Sequence, residues 1–322
     1  MAGYSKTKIS LVTTVYNEES SIQAFLNSIK NQTIKPSEVI IIDAGSKDET
    51  IKLTKRFEKE NKKLNLKLFL KKGNRSVGRN EAIKRAKNKI IAVSDAGCIL
   101  DKNWLKEINI AFKKDVDVVA GYYKPIAINA FEKSLAAYTC VMPDKVSPEE
   151  FLPSSRSIAF KKNAWKTVGG YSEDLNTCED LVFSKKLKDF GFKFNFAKKA
   201  FVYWPQRKNL GSAFMQFFGY ALGDGKARYF RKNSPFLFAR YIVGLILLAW
   251  TIFFKSTLVA TILVVLFLIY LLWSVRKNYK YVANSRAFFY LPTLQLISDL
   301  AVLAGTTIGF FQSLKVSNKS TN

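Results

Sequence analysis

The sequence predicts an α/β domain built on a mostly parallel sheet, followed by C-terminal transmembrane helices. Early in the chain, short β-branched runs alternate with helical segments, the pattern of a parallel sheet with helices on both faces. In the last third, long apolar runs succeed one another with few charges. The bulk figures agree: 322 residues, 48% hydrophobic yet 24% charged, suit a polar unit joined to an apolar one.

Ile9–Val15 reads as a buried strand, and Asn17 is placed to cap the helix SSIQAFLNSIKNQ after it. PSEVIIIDAGS gives a second strand ending at Asp43. Ser46 and Glu49 have capping-box spacing ahead of the helix TIKLTKRFEKEN. A strand is expected over Leu64–Leu70, a helix over Arg79–Lys87, and a fourth strand over Lys89–Val93, running into Ser94 and Asp95. A helix near Trp104–Phe112 and a strand at Val116–Ala120 follow, then a less regular stretch from Tyr122 to Pro153. PSSRSIAFKK reads as a strand, Thr177–Phe190 as a helix and Ala200–Trp204 as a last short strand. Ligands of such sheets bind beyond the carboxyl ends of the strands, where Asp43 and Asp95 both fall.

The polar domain is drawn as 1–230, the membrane region as 231–314 and a polar tail as 315–322. Spans are expected at about 236–254, 256–274 and 287–311, since a crossing needs roughly 20 mostly apolar residues. Arg240 is expected to snorkel to the headgroups. Lys255 makes the first two spans a hairpin, and the basic loop Arg276–Arg286 is assigned to the cytosol. The third run, interrupted by Pro292 and Asp299, either crosses again or lies partly in the interface; Asp299 is expected to face another helix.

The formal charge is +26, and histidine is absent. Ser-His-Asp triads, Cys-His pairs and histidine-bound zinc are thereby excluded. Any general base is a carboxylate, a lysine or a tyrosine. The cationic excess calls for anionic partners: nucleic acid, an anionic membrane surface or phosphorylated substrates. Cys98, Cys140 and Cys178 are odd in number and widely spaced, which fits a reducing compartment. The first residues carry no long apolar run, so a cytosolic polar domain on a plasma-membrane, multi-pass anchor is expected.

VTTVYNEE, IIDAGSKDET, RSVGRNEAI, VSDAGCILDKNWL, VGGYSEDLNTCEDLVFSKKL and GFKFNFAKKAFVYW occur in that order. The series, over roughly residues 5–230, resembles the family 2 glycosyltransferases, which have the Rossmann-like GT-A fold of nucleotide-diphospho-sugar transferases. The resemblance implies a nucleotide-sugar site at Thr14, Tyr16, Glu18, Asp43, Ser46, Arg79 and Asp95. It implies Mg²⁺ or Mn²⁺ at Asp95, the first residue of a DxD-like motif. Here that motif is Asp95-Ala96-Gly97, so its last carboxylate is missing; Ala44 likewise stands where a second aspartate is common. Glu179-Asp180 matches the family's ED motif, with Asp180 as general base. The bland alternatives are a capping box from Thr177 to Asp180 and, for Glu18, a favourable charge in a helix's first turn.

Where processive members carry QxxRW, this chain has Gln216, Gly219 and Tyr220, which implies a non-processive enzyme. Arg207, Lys226 and Arg228 are nearby candidates for diphosphate contacts. The aromatic-rich segment LGSAFMQFFGYALGDGKARYF either lies along the membrane surface or packs as an ordinary helix on the catalytic domain. The implied activity is inverting transfer from a nucleotide sugar to a hydroxyl of a lipid-linked or membrane-associated acceptor, in cell-envelope glycan or glycolipid synthesis. A polyprenyl-phosphate acceptor is one alternative, and a catalytically inactive basic membrane scaffold on the same fold is another. No nucleic-acid motif appears, and no nucleic-acid partner is expected.

Overall fold

The structure is a computed structural model and describes residues 7–317. In chain order its elements are β1 Ile9–Val15, α1 Ile22–Lys30, β2 Glu38–Asp43, α2 Thr50–Glu60, β3 Leu66–Leu70, α3 Arg75–Arg85, β4 Ile90–Val93, β5 Ile99–Leu100, α4 Trp104–Ala111, β6 Val118–Ile126 and α5 Ala130–Thr139. Then come β7 Ile158–Lys161, α6 Lys162–Thr167, α7 Glu179–Asp189, β8 Phe194–Pro205, α8 Leu210–Lys226, α9 Ser234–Phe254, α10 Thr257–Val282 and α11 Ala287–Ser317. The chain forms two compact units. One is the chain up to Ile126 with Met142–Pro205; the other is Ala127–Val141 with everything from Gln206. The division therefore falls after Pro205 rather than near residue 230, and α5 groups with the C-terminal helices.

The first unit holds an eight-stranded sheet in the order β3-β2-β1-β4-β7-β6-β8-β5. β1 pairs in parallel with β2 and β4, β2 with β3, and β6 with β8. β7 runs antiparallel between β4 and β6, and β5 runs antiparallel on β8. The sheet is thus mixed, its parallel part being the half that binds ligands in such folds. On one face Val12, Ile40, Ile42, Ile91, Val93 and Phe160 pack against Ala82 and Ile83 of α3 and Phe183 and Leu187 of α7. The alternating Leu11, Val39 and Ile41 are equally buried, so both faces are covered. Each such side chain contributes about 1.5–3 kcal/mol of burial.

Several local expectations are corrected. α1 starts after Ser21 without a side-chain cap, and Asn17 instead sits at φ +52 with its Oδ1 accepting from Lys47 N at 2.9 Å. No Ser46–Glu49 capping box forms: α2 starts after Glu49, and Ser46 Oγ accepts from Asn17 N. α3 begins four residues earlier than expected because Asn74 caps it, its side chain accepting from Val77 N. Thr177 does not cap α7, whose N-cap is Cys178 in a left-handed conformation. The stretch after Tyr122 contains a continuation of β6 and the helix α5, capped by Asn129.

In the second unit α9, α10 and α11 are each long and apolar enough to cross a membrane. α10 continues through Arg276 to Val282, so most of the expected basic loop is helix. α11 runs unbroken through Pro292. Asp299, only 4% exposed, accepts hydrogen bonds from Arg240 (2.8 Å), Tyr241 (3.0 Å), Gln295 (2.9 Å) and Tyr270. It does face other helices, and Arg240 pairs with it instead of snorkelling. An ion pair with three added donors satisfies a carboxylate that apolar surroundings would otherwise penalise heavily.

α8 lies against α11 with almost no side chain between the two backbones. A Cβ on Gly309 would stand 2.3 Å from Leu222 O, one on Gly225 2.4 Å from Thr306 O, and one on Gly305 2.7 Å from Phe218 O. Small residues permit such close approach of apolar helices. The aromatic-rich segment is therefore a partner of the third apolar helix. Gly309→Ala is expected to lower the thermal midpoint of the detergent-purified chain, at a cost of about 1–3 kcal/mol for overpacking. An unchanged midpoint would mean that this helix contact contributes nothing.

Candidate active site

The parallel half of the sheet brings Tyr16, Asp43 and Asp95 to one edge. Asp43 ends β2 opposite Val15 of β1, Tyr16 follows β1, and Asp95 lies two residues past the end of β4. Asp43 is fully buried. Its Oδ1 accepts from Gly45 N at 2.8 Å and Ser46 N at 2.7 Å, while its Oδ2 finds no hydrogen-bond partner among the described residues. Ser94 Oγ, at the end of β4, is also buried and unpartnered. Unpaired polar atoms of this kind cost about 1–3 kcal/mol each, more when charged, and call for a ligand that supplies donors. Tyr16 is 55% exposed at the same edge. Glu18 N donates to Thr50 Oγ1 at 2.7 Å, and its carboxylate accepts from Ser21 Oγ at the start of α1.

Thr14 touches α3, its hydroxyl donating to Arg75 O at 3.5 Å. Gly78 permits this approach, since a Cβ there would stand 2.4 Å from Thr14 Cγ2. The closeness of β1 and α3 puts Arg79 beneath the strand edge. Arg79 is 3% exposed and donates 2.6 Å hydrogen bonds to Asp95 Oδ1 and to Glu179 Oε1, with its guanidinium over the Tyr171 ring. Its donors go to two carboxylates, so in this structure it is a buried clamp; the sequence had suggested a direct nucleotide contact. Arg75 lies 3.9 Å from Glu179.

The electrostatics follow from this geometry. Burial works against the Arg79 charge, but Asp95 and Glu179 outweigh it and hold the guanidinium firmly protonated. Burial likewise pushes the Asp95 carboxyl up, but Arg79, then Arg156 and Arg75, bring it below the usual range. At Glu179 burial wins: it raises the carboxyl against the pull of Arg79, and neighbouring Asp180 adds to the rise.

Asp180 follows Glu179 in the first turn of α7. Its Oδ1 accepts from its neighbour Leu181 N at 2.8 Å and its Oδ2 from Ser155 N at 3.4 Å. It is half-buried and bears no ion pair among the described residues, so it combines a fixed position with open lone pairs.

No group of three or more His, Cys, Asp or Glu is assembled for a metal among the described residues. Asp95 gives one oxygen to Arg79 and keeps Oδ2 outside that pair, with 34% of the side chain exposed. One carboxylate oxygen fits a hard cation that takes its other ligands from substrate phosphates and water. Arg207, Lys226 and Arg228 belong to the second unit, where Arg228 donates to Ser313 Oγ and O.

Sequence reasoning passed over two residues of this site. Tyr171 stacks under Arg79, and its hydroxyl oxygen accepts from Ser155 Oγ at 3.1 Å. Arg156 precedes β7, a strand whose antiparallel sense a single sequence does not signal.

Comparison with known proteins agrees with this geometry. The glycosyl transferase family 2 model matches residues 10–164, which together with the relatives below supports a glycosyltransferase of that family. It is 24% identical over 205 residues to the glycosyltransferase AglE of Haloferax volcanii, covering 62% of this chain and 67% of that one. It is 23% identical over 274 residues to the O-antigen chain rhamnosyltransferase RfbN of Salmonella typhimurium, covering 73% and 85%. Among solved structures, the mannosyltransferase PcManGT of Pyrobaculum calidifontis, in complex with GDP-Man and Mn²⁺, superposes with a TM-score of 0.62. That match covers 93% of this chain and 87% of the other at 16% identity, and it shows a shared GT-A fold.

Proposed function

We propose that this chain is an inverting, non-processive transferase that moves a sugar from a nucleotide-sugar donor to a hydroxyl of a lipid-linked or membrane-associated acceptor in cell-envelope glycan synthesis. The observation that carries the reading is the pairing of roles along one sheet edge. Asp43 offers a buried acceptor oxygen without a donor, while Asp95 and Glu179-Asp180 are tied together through Arg79.

In this reading the nucleoside supplies the donors that Asp43 Oδ2 lacks, with Tyr16 alongside it, and Thr14, Glu18 and Ser46 shape the surrounding loops. Asp95 would hold Mg²⁺ or Mn²⁺, and the cation would supply charge neutralisation for the leaving group. Asp180 takes the proton from the acceptor hydroxyl as that oxygen forms its bond to the anomeric carbon. The bond to the diphosphate breaks on the opposite side, so one displacement inverts the anomeric centre. Glu179 and Arg79 act as positioning residues: their ion pair fixes the start of α7 and therefore Asp180. The three apolar helices anchor the enzyme, with the catalytic unit cytosolic at the plasma membrane.

The test is release of nucleoside diphosphate from a panel of UDP- and GDP-sugars by the detergent-purified chain, with Mg²⁺ or Mn²⁺ and with chelator. At least one donor is expected to turn over, faster with cation. Asp43→Asn is expected to weaken donor binding about 10- to 100-fold, the worth of a hydrogen bond to a charged group, with little change in the melting midpoint. Turnover of no donor would overturn the reading.

A further inference from the structure

We infer that a cavity where the starts of α5, α8 and α11 meet binds the phosphate of the lipid-linked acceptor. The inference rests on the transferase reading above and gives its acceptor a binding site in the second unit.

The cavity measures about 650 Å³, inside the range of roughly 300–1,000 Å³ usual for small-ligand sites. Every residue lining it belongs to the second unit. Two of them are cations far apart in sequence, Lys208 just ahead of α8 and Arg286 just ahead of α11. Both are exposed, and neither side chain has an ion-pair or hydrogen-bond partner among the described residues. No Asp or Glu lines the cavity. The acid nearest in sequence, Glu132, is buried and engaged in the cap of α5, where it accepts from Ile128 N at 2.7 Å and Asn129 Nδ2 at 3.1 Å. The cavity is therefore cationic without a counter-ion, which calls for an anion.

The backbone adds to that charge. Ala130 and Phe131 open α5, Leu210 and Gly211 open α8, and all four line the cavity. The first N–H groups of a helix have no intrahelical acceptor and carry the positive end of its dipole. Asn129 and Asn209 cap only the third residue of their helices, accepting from Glu132 N and Ser212 N. The N–H groups of the two residues before it are left for a ligand or water.

Apolar surface beside the cations points to a lipid as the source of the anion. The Phe131 and Tyr290 rings meet edge to face at 5.5 Å in the cavity wall. Leu210 is exposed there, and Phe288 and Phe289 at the start of α11 are 60% and 65% exposed. A phosphate on Lys208 and Arg286 with its alkyl chain over these side chains satisfies both surfaces; a free phosphate would leave the apolar one in water. No carboxylate lines the cavity to take a proton, so it holds the lipid end of the acceptor and does not react with it.

The test measures binding of farnesyl diphosphate, farnesol, inorganic diphosphate and phosphatidylglycerol to the full chain in detergent, with chelator present. The wild type is expected to bind farnesyl diphosphate more tightly than the other three. The double variant Lys208→Gln/Arg286→Gln is expected to lose about 10- to 100-fold of that affinity, the range for hydrogen bonds to a charged group, at an unchanged melting midpoint. The charge-keeping pair Lys208→Arg/Arg286→Lys is expected to retain most of the affinity, which separates the loss of charge from a change in packing. Full binding by the neutral variant would overturn the inference. So would a wild type that takes farnesol, inorganic diphosphate or phosphatidylglycerol as tightly, since the cavity would then read the chain alone, any soluble anion or any acidic lipid. Turnover of nucleotide sugars is followed in the same preparation. Turnover without preference for farnesyl diphosphate sinks this inference alone; no turnover of any donor sinks the transferase reading, and the acceptor role with it.

Discussion

Asp180→Asn is expected to lower turnover about 100- to 10,000-fold, the usual contribution of a positioned general base, while donor affinity stays within a few-fold of wild type. Asparagine keeps the shape and still accepts from Leu181 N, so α7 retains its first turn. What disappears is the capacity to take a proton from the acceptor hydroxyl. The decisive measurement is turnover against donor affinity in the same preparation. A variant that loses donor binding in proportion to turnover would make Asp180 a binding residue. An acceptor that is already ionised, such as a polyprenyl phosphate, needs no base, so near-normal turnover on such an acceptor would identify that alternative chemistry.

Arg79→Ala is expected to be the most destabilising single change in the catalytic unit. It leaves Glu179, 3% exposed in its side chain, and the partly buried Asp95 without their shared counter-charge. Breaking a buried pair from one side costs about 3–5 kcal/mol. At roughly 2–4 °C per kcal/mol for a unit of this size, the melting midpoint should fall by about 6–20 °C. Arg79→Lys keeps the charge but cannot reach both carboxylates with a planar fork, so its cost should be smaller yet clear. Adding Glu179→Gln to Arg79→Ala should recover part of the loss, because the orphaned buried charge is then removed. Equal midpoints for the single and double variants would show that the clamp does not depend on charge.

Much of this was legible in the sequence, for identifiable reasons. The parallel strands β1, β2 and β4 are continuous β-branched runs, so their carboxyl ends could be located, and Asp43 and Asp95 with them. The apolar helices announce themselves by length. Asp299 could be expected to face a partner because a charge in an apolar span must find one. What stayed hidden depends on long-range pairing. Nothing local to PSSRSIAFKK says that β7 is antiparallel, so Arg156 passed as an ordinary strand-flanking residue. Arg79 looked like a phosphate ligand because arginine near a glycine suits that role; only the approach of α7 brings Glu179 to it. Local caps were misread at Asn17 and Ser46 because loop-to-loop hydrogen bonds between β1 and β2 took those side chains. The glycines of α8 and α11 carry no helix signal at all, yet they set the close approach of those helices.

The central claim is that the carboxylates along this sheet edge form a nucleotide-sugar site. A thermal-shift screen of UDP- and GDP-sugars against the full chain tests it most directly, because a ligand bound to the folded state at 100 times its Kd adds about 2.7 kcal/mol of stability. The prediction is a raised midpoint with one donor class, strengthened by Mg²⁺ or Mn²⁺ and reduced in Asp43→Asn. A folded chain whose midpoint responds to no nucleotide sugar, with or without cation, would contradict it.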